Sequence, residues 1–228
     1  MAPIACATCS ICGEVLAQAN PWEDSSTCNV CREELPSYQR AVAYGAYEGK
    51  LRELIHLLKY DQVHPATSVL SRMLALAIAK LELDGPALVV PVPLHGSKRR
   101  QRGFNQAESI AQSALKSKHD KRFQLVTDVL QRTRPTVSQI GLTRPQRREN
   151  MRGAFKVAHL SRVSGRDILL VDDVMTTGTT VAECARVLRR AGARNVCARN
   201  VWVATVARTL KNSGSVEILE GTAVAVNE

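Results

Sequence analysis

The chain has 228 residues, 31 Lys and Arg against 21 Asp and Glu for a net charge of +10, 45% hydrophobic residues and only 4% aromatic ones. That balance excludes intrinsic disorder and a disulfide-stapled miniprotein, and a chain this long can bury roughly 70% of its unfolded surface, enough for one ordinary core and a small appendage. No apolar run approaches the roughly 20 residues of a membrane helix, since a typical candidate from Met73 to Ala79 is cut off by Lys80, and MAPIACATC has neither a basic n-region nor an apolar h-region. The expectation is a cytoplasmic protein without membrane insertion, where paired cysteines suit metal rather than disulfide.

Residues 1 to 40 are polar, turn-rich and poor in periodic hydrophobes, so they cannot build a core unaided. They do carry Cys9-x2-Cys12 and Cys28-x2-Cys31, fifteen residues apart, which is the spacing of a four-thiolate zinc ribbon. Such a closed site is structural, and metal binding supplies the folding free energy the segment lacks. Cys6-x2-Cys9 is a competing pair; Cys9 and Cys12 are preferred because Gly13 permits the tight knuckle turn, leaving Cys6 as a spare thiol.

From Ala41 the pattern changes. Val42 to Tyr47 reads as a strand, and Gly49 precedes a helix whose Leu51, Leu54, Ile55 and Leu58 share a face. Val69 to Leu83 is helical and ends at Asp84-Gly85-Pro86; Ala87 to Val90 is a buried-type strand running into Pro91-Val92-Pro93. Asn105 to Ser117 is helical, Gln124 to Leu130 strand-like, and Thr133 to Met151 a polar stretch with the look of a flexible basic arm. Ile168 to Val171 is a central strand, Val181, Cys184, Ala185 and Leu188 line a helix closed by Gly192, and Val196 to Ala204 is the last strand. Alternating strands and helices of these lengths predict an α/β domain over 41–228 with a mostly parallel sheet.

The whole excess charge lies in one stretch: Lys98 to Arg152 holds 14 basic and 4 acidic residues. A block of that size attracts a phosphate-bearing partner, either a polyphosphorylated small molecule or a nucleic acid backbone. Its Arg99, Arg100, Arg102, Arg144, Arg147, Arg148 and Arg152 favour the planar fork that grips phosphate. Aromatics that could stack bases are nearly missing there, with only Phe104 and Phe123. The five histidines form no pair at metal-ligand spacing, and His95 alone falls near the predicted site.

The most informative segment is Ile168-Leu169-Leu170-Val171-Asp172-Asp173-Val174-Met175-Thr176-Thr177-Gly178-Thr179-Thr180. An apolar strand delivers two carboxylates to the carboxyl edge of a parallel sheet, where open α/β folds bind ligands. Carboxylates there accept hydrogen bonds from vicinal hydroxyls. The threonine-rich loop then offers hydroxyls and backbone N–H groups at a helix N-terminus, which suit a phosphate monoester. A ribose 5-phosphate satisfies both halves, whereas a nucleoside-triphosphate P-loop is excluded because no Gly-x4-Gly-Lys-Ser/Thr occurs.

This segment resembles the phosphoribosyl-pyrophosphate (PRPP) motif of type I phosphoribosyltransferases. The chain as a whole resembles the ComF family of competence-associated phosphoribosyltransferase-like proteins, through the double Cys-x2-Cys ribbon, Leu54 to Tyr60, Val90 to Leu94, Arg102 to Gln106, Gln139 with Arg147 to Asn150, and the motif ending at Thr180. The resemblance implies Mg²⁺-dependent transfer of phosphoribosyl from PRPP. Asp172 and Asp173 would hold the ribose hydroxyls near Mg²⁺, and Thr176, Thr177, Gly178, Thr179 and Thr180 the 5-phosphate. Pro93 and Arg102 fall in the loop that binds pyrophosphate, and Arg144, Arg147 or Arg148 would reach the leaving group from a closing lid. It also implies a part in DNA uptake, with the ribbon and basic arm on single-stranded DNA and PRPP as substrate or as regulator. The acceptor stays open; the ribbon, folded over the sheet edge, is the expected hood.

Overall fold

Runs of Val, Ala, Leu and Ile become strands, and the segments between them become helices with one apolar face. The computed structural model describes residues 1–16, 26–60, 65–83, 85–118, 120–137, 141–190 and 200–210. In chain order these form α1 (Asn29–Glu33), β1 (Arg40–Ala46), α2 (Gly49–Tyr60), α3 (Pro65–Ala79), β2 (Ala87–Pro91), α4 (Gly96–Arg102), α5 (Gln106–Lys118), β3 (Phe123–Leu125) and β4 (Leu130–Arg132). They continue with α6 (Arg144–Met151), β5 (Phe155–Val157), α7 (Leu160–Val163), β6 (Asp167–Met175), α8 (Thr179–Arg190) and β7 (Val201–Arg208).

Five strands make one parallel sheet in the order β1-β7-β6-β2-β3, and β4 pairs with β5 as a separate antiparallel ribbon. Both faces of the large sheet are covered, as parallel strands require. One face carries α2, α3 and α5, with Leu51, Ile55, Leu58, Leu70, Leu74 and Ile110 packed on Leu169 and Val171. The other carries α8, the small ribbon and the cysteine-rich segment, with Val181, Cys184 and Leu188 on Ile168, Leu170 and Val203. Cys9, Cys12, Cys31 and Tyr38 belong to that same cluster, so the N-terminal segment borrows the core of the sheet instead of building its own. It packs on the α8 side of the sheet and reaches Arg208 at the end of β7.

Several boundaries differ from the sequence pattern for identifiable reasons. Gln124 to Leu130 is not one strand: residues 123–125 extend the large sheet, the chain bends, and Leu130 opens β4. Val126 and Val129 are apolar because they are buried at the bend, not because the backbone is extended. Helix α4 was hidden by its lack of any buried residue; His95 caps it by accepting from the Ser97 N–H at 3.3 Å, and Gly103 closes it at φ +78°. Part of the expected arm is α6, with a capping box at Thr143 and Gln146 and with Met151 fully buried. Strand β6 runs to Met175, four residues beyond Val171, because its ladder with β7 continues to Met175–Arg208. Gln139, Trp22, Cys197, Gly192 and the start of the expected 196–204 strand lie outside the described residues. Among the described residues no helix is long and apolar enough to cross a membrane.

The cysteine segment is bolted to the sheet through Arg208, the last residue of β7 and only 3% exposed. Its guanidinium donates to the Cys12 carbonyl and to Glu14 Oε2, both at 2.7 Å. Removing one partner of a buried pair leaves the other charge uncompensated, at a cost of about 3 kcal/mol. Arg208→Leu is therefore expected to lower the melting temperature in thermal unfolding by roughly 2–4 °C per kcal/mol lost, and Arg208→Leu/Glu14→Leu to recover part of that loss. Equal melting temperatures for the single variant and the parent would refute the tie.

Candidate functional site

In β6 side chains alternate between the two faces: Ile168 and Leu170 pack toward α8, Leu169 and Val171 toward α2. The same alternation sends Asp172 to the α8 side and Asp173 to the α2 side, where the Lys59 Nζ meets Asp173 Oδ2 at 2.9 Å. Lys59 is the penultimate residue of α2, placed one step past the buried Leu58. Burial alone would lower its pKa, but the Asp173 carboxylate outweighs that and holds it above the ordinary lysine value. Asp172 has no such direct partner; burial, and then the neighbouring Asp173 charge, push its carboxyl up to about 7 despite Lys59 and Arg132. Its Oδ1 accepts the Asp173 N–H at 2.9 Å.

Past Asp173 the alternation shifts, with Val174 on the α2 side and Met175 on the α8 side. The chain then makes a three-residue loop directly into α8. Gly178 is at φ +76°, a backbone conformation that favours glycine, and a Cβ there would come within 2.6 Å of the flexible Met175 Cε, which would have to move aside. Thr177 and Thr179 hydroxyls meet at 2.8 Å, and Thr176 is exposed. The loop thus places backbone amides and threonine hydroxyls at the start of a twelve-residue helix, beside the acid pair.

Basic side chains surround the carboxylates. Lys98 in α4 is held below the ordinary lysine value by burial first, then by the positive charges of Arg132, Arg102 and Lys59, which places the four cations around one space. Arg132, from β4, lies over the Phe155 ring and donates to Thr136, while its Nε is buried without a partner. Arg102 stands 5.5 Å over the Tyr60 ring and donates to Gln106 Oε1 at 3.1 Å. The loop after β2 is fixed by the Val92 N–H on the Val171 carbonyl and by Asn105 Nδ2 on the Val92 carbonyl, which sets Pro93 beside the strand end.

Of the arginines expected on a lid, Arg147 donates to the Leu142 carbonyl of its own loop, and Arg148 pairs with Glu34 of the cysteine segment at 2.5 Å. Arg144 opens α6, and its side chain lies outside the described residues. A cleft of about 520 Å³ is lined by Tyr38, Arg148 and Thr177 to Thr179. Lys59, Lys98 and Arg132 are the site residues that the sequence reading missed. Lys59 was within the Leu54-to-Tyr60 signature but carried no role, and Arg132 gave no signal beyond its charge.

The sulfurs of Cys9, Cys12, Cys28 and Cys31 lie within 4.8 Å of one another, and Cys6 is exposed and outside the group. Cys12 Sγ and Cys28 Sγ are 3.6 Å apart, close to the roughly 3.8 Å of two thiolates each about 2.3 Å from a tetrahedral zinc ion. The Gly13 N–H donates to the Cys9 carbonyl and the Cys31 and Arg32 N–H groups to the Cys28 carbonyl, forming the two knuckles. Burial raises the Cys31 thiol and takes Cys12 to about 11, whereas at Cys9 the surrounding hydrogen-bond donors outweigh burial and bring it down to about 7. Four sulfurs this close cannot all ionise without a cation between them, so the set can hold one metal ion.

The raised pKa of Asp172 has a consequence for stability. Between about pH 4 and 7 the folded protein keeps a proton that the unfolded chain has released, so stability falls as pH rises through that window. Asp172→Asn is expected to melt above the parent at pH 8, on the order of 5 °C higher, and to lose that advantage at pH 4.5. Thermal unfolding at both pH values checks this, and an advantage independent of pH would contradict it.

Comparison with known proteins agrees with this geometry. The phosphoribosyl transferase domain family matches residues 86–220, more than half of the chain. The DNA utilization protein YhgH of Escherichia coli (strain K12) is 36% identical over 179 residues, 77% of this chain and 75% of that protein. Competence protein F of Haemophilus influenzae is 31% identical over 180 residues, 77% of this chain and 76% of that protein. A solved hypoxanthine phosphoribosyltransferase from Staphylococcus aureus covers 64% of each chain at 12% identity and a TM-score of 0.36, too distant to carry an argument. With its PRPP-type loop, its cysteine cluster and these relatives, the chain belongs to the ComF family of competence and DNA utilization proteins, built on a phosphoribosyl transferase domain.

Proposed function

We propose that the chain binds PRPP with Mg²⁺ at the carboxyl end of β6 and transfers the phosphoribosyl group to a nitrogenous acceptor. The observation that carries this reading is the acid pair Asp172–Asp173 abutting the Thr176–Thr180 loop at the N-terminus of α8. The loop amides and hydroxyls take the 5-phosphate, and the carboxylates orient the ribose hydroxyls. Lys98, Arg102 and Arg132, with the loop at Pro93, face the pyrophosphate. Mg²⁺, when bound with PRPP, adds charge neutralisation of that leaving group. As the bond from C1 to pyrophosphate breaks, the residues contribute position and fixed charge rather than covalent chemistry. Arg144 reaches the leaving group from α6 when the arm closes. A Zn²⁺ ion on Cys9, Cys12, Cys28 and Cys31 holds the N-terminal segment folded, and the protein acts in the cytoplasm.

A second reading has its own support, the +10 block from Lys98 to Arg152 and the names of the relatives. In it the chain is a non-catalytic factor of the DNA-uptake machinery that binds single-stranded DNA, with PRPP as a regulatory ligand or not used at all.

Calorimetric titration of PRPP and Mg²⁺ is expected to give saturable binding that falls at least about 100-fold in Asp172→Asn/Asp173→Asn, in line with losing two charge-assisted contacts. Pyrophosphate release on adding candidate acceptors then separates the enzyme from the regulated binder. No PRPP binding by the parent protein would sink both the enzyme and the regulated forms. For the metal, elemental analysis is expected to find about one zinc per chain, lost in Cys12→Ser, with chelation unfolding the N-terminal segment before the sheet.

A further inference from the structure

The aromatics that the basic block lacks in sequence are brought to it in space. Tyr47, just past β1, and His56 and Tyr60, one turn apart on α2, form a continuous row: ring centroids are 6.4 Å apart at 27° for the first pair and 5.4 Å at 44° for the second. His56 Nε2 and the Tyr47 hydroxyl are in hydrogen-bond contact at 3.0 Å, which fixes the ring order. Arg102 of α4 continues the row over Tyr60. Tyr60 nevertheless remains 63% exposed, and Leu57 beside it 41%. A large aromatic side chain held in a row yet left open to solvent does no work for the core.

Its surroundings fit a strand of nucleic acid. Helix α4 meets the row at Arg102 and buries none of its residues, with Arg99 and Arg100 exposed on it. Arg102 lies over one face of the Tyr60 ring and His56 stands against it, yet the ring stays 63% exposed, and a row of rings and a guanidinium with cations along one side matches a polymer whose bases stack while its phosphates lie on the flank.

We propose that Tyr47, His56 and Tyr60 form a stacking platform for the unpaired bases of a single-stranded nucleic acid, with Arg99 and Arg100 on its phosphates. This goes beyond the PRPP reading and deepens the DNA-binding one by moving the strand from the 133–151 arm to the α2–α4 surface. Neither Tyr60 nor Arg99 and Arg100 belongs to the PRPP site.

The test is fluorescence anisotropy of the full chain with a labelled oligo-dT. Stacking lost at one base predicts a roughly 5- to 100-fold weaker affinity for Tyr60→Ala, with Tyr60→Phe near the parent. Arg99→Gln/Arg100→Gln is expected to flatten the slope of log affinity against log salt by about 1.4, two phosphate contacts on a single strand. PRPP titration of Arg99→Gln/Arg100→Gln is expected to match the parent, so failure of the platform and failure of the PRPP site are read separately. Unchanged oligonucleotide affinity in Tyr60→Ala overturns the proposal. So does free thymidine competing as well as the oligonucleotide per base, which would make the row a small-molecule site.

Discussion

Two carboxylates on consecutive residues at the end of a buried strand repel each other and lose hydration, and the rest of the site is arranged around that constraint. Strand alternation separates them, one to each face of the sheet, and each face then meets the problem differently. On the α2 side Asp173 has a direct ion pair with Lys59. On the α8 side Asp172 has no ion pair among the described residues, only the more distant charges of Lys59 and Arg132 and its own backbone contact, and its carboxyl is pushed up to about 7. An acid held near half-ionisation at neutral pH is poised to give up its proton when a cationic or hydrogen-bond-donating ligand arrives. The structure therefore stores an unfavourable interaction where a ligand relieves it.

The position of α2 follows from the same constraint. Leu51, Ile55 and Leu58 fix its face on the sheet, and Lys59 at its end is thereby aimed across the top of β6. The helix cannot rotate to satisfy one without losing the other. On the opposite face the cysteine segment is coupled to the same strand end by a different route. Arg208 holds Cys12 and Glu14, the Thr209 N–H donates to the Met175 carbonyl, and Met175 fills the space that Gly178 leaves open. A metal ion on the four sulfurs, remote from the acids, is in this way mechanically continuous with the loop that follows them.

The sheet was legible because its central strands are uninterrupted Val, Leu and Ile runs, a pattern only a doubly covered parallel strand produces. The acid pair and the loop were legible because they are contiguous. Lys59 and Arg132 were not, since they reach the site from 113 and 40 residues away from Asp172 along the chain, and only the packing of α2 and β4 brings them there. The aromatic row failed to register for the same reason. Tyr47, His56 and Tyr60 precede the basic block, and they look like scattered surface residues until α2 lies beside α4. The arginines of the basic stretch are the reverse case, because Arg147 and Arg148 have partners, the Leu142 carbonyl and Glu34, that redirect their side chains in a way a charge run does not show.

That redirection changes the meaning of the +10 block. Its members are not one patch. Arg132 acts on the Asp172 carboxyl. Arg122 is held by Asp120 and the Leu83 carbonyl, Arg134 caps α6 through the carbonyls of Asn150 and Arg152, and Arg148 joins α6 to the cysteine segment. These cations are consumed by structure. Among the exposed cations that remain are Lys116, Lys121 and, on α4, Arg99 and Arg100, where Arg100 has no ion pair among the described residues and Arg99 only a 4.0 Å approach to Glu108. Excess charge in the sequence thus resolves into cations tied to structure and cations left on the surface, and Arg102, over the Tyr60 ring and donating to Gln106, joins α4 to α2 and α5.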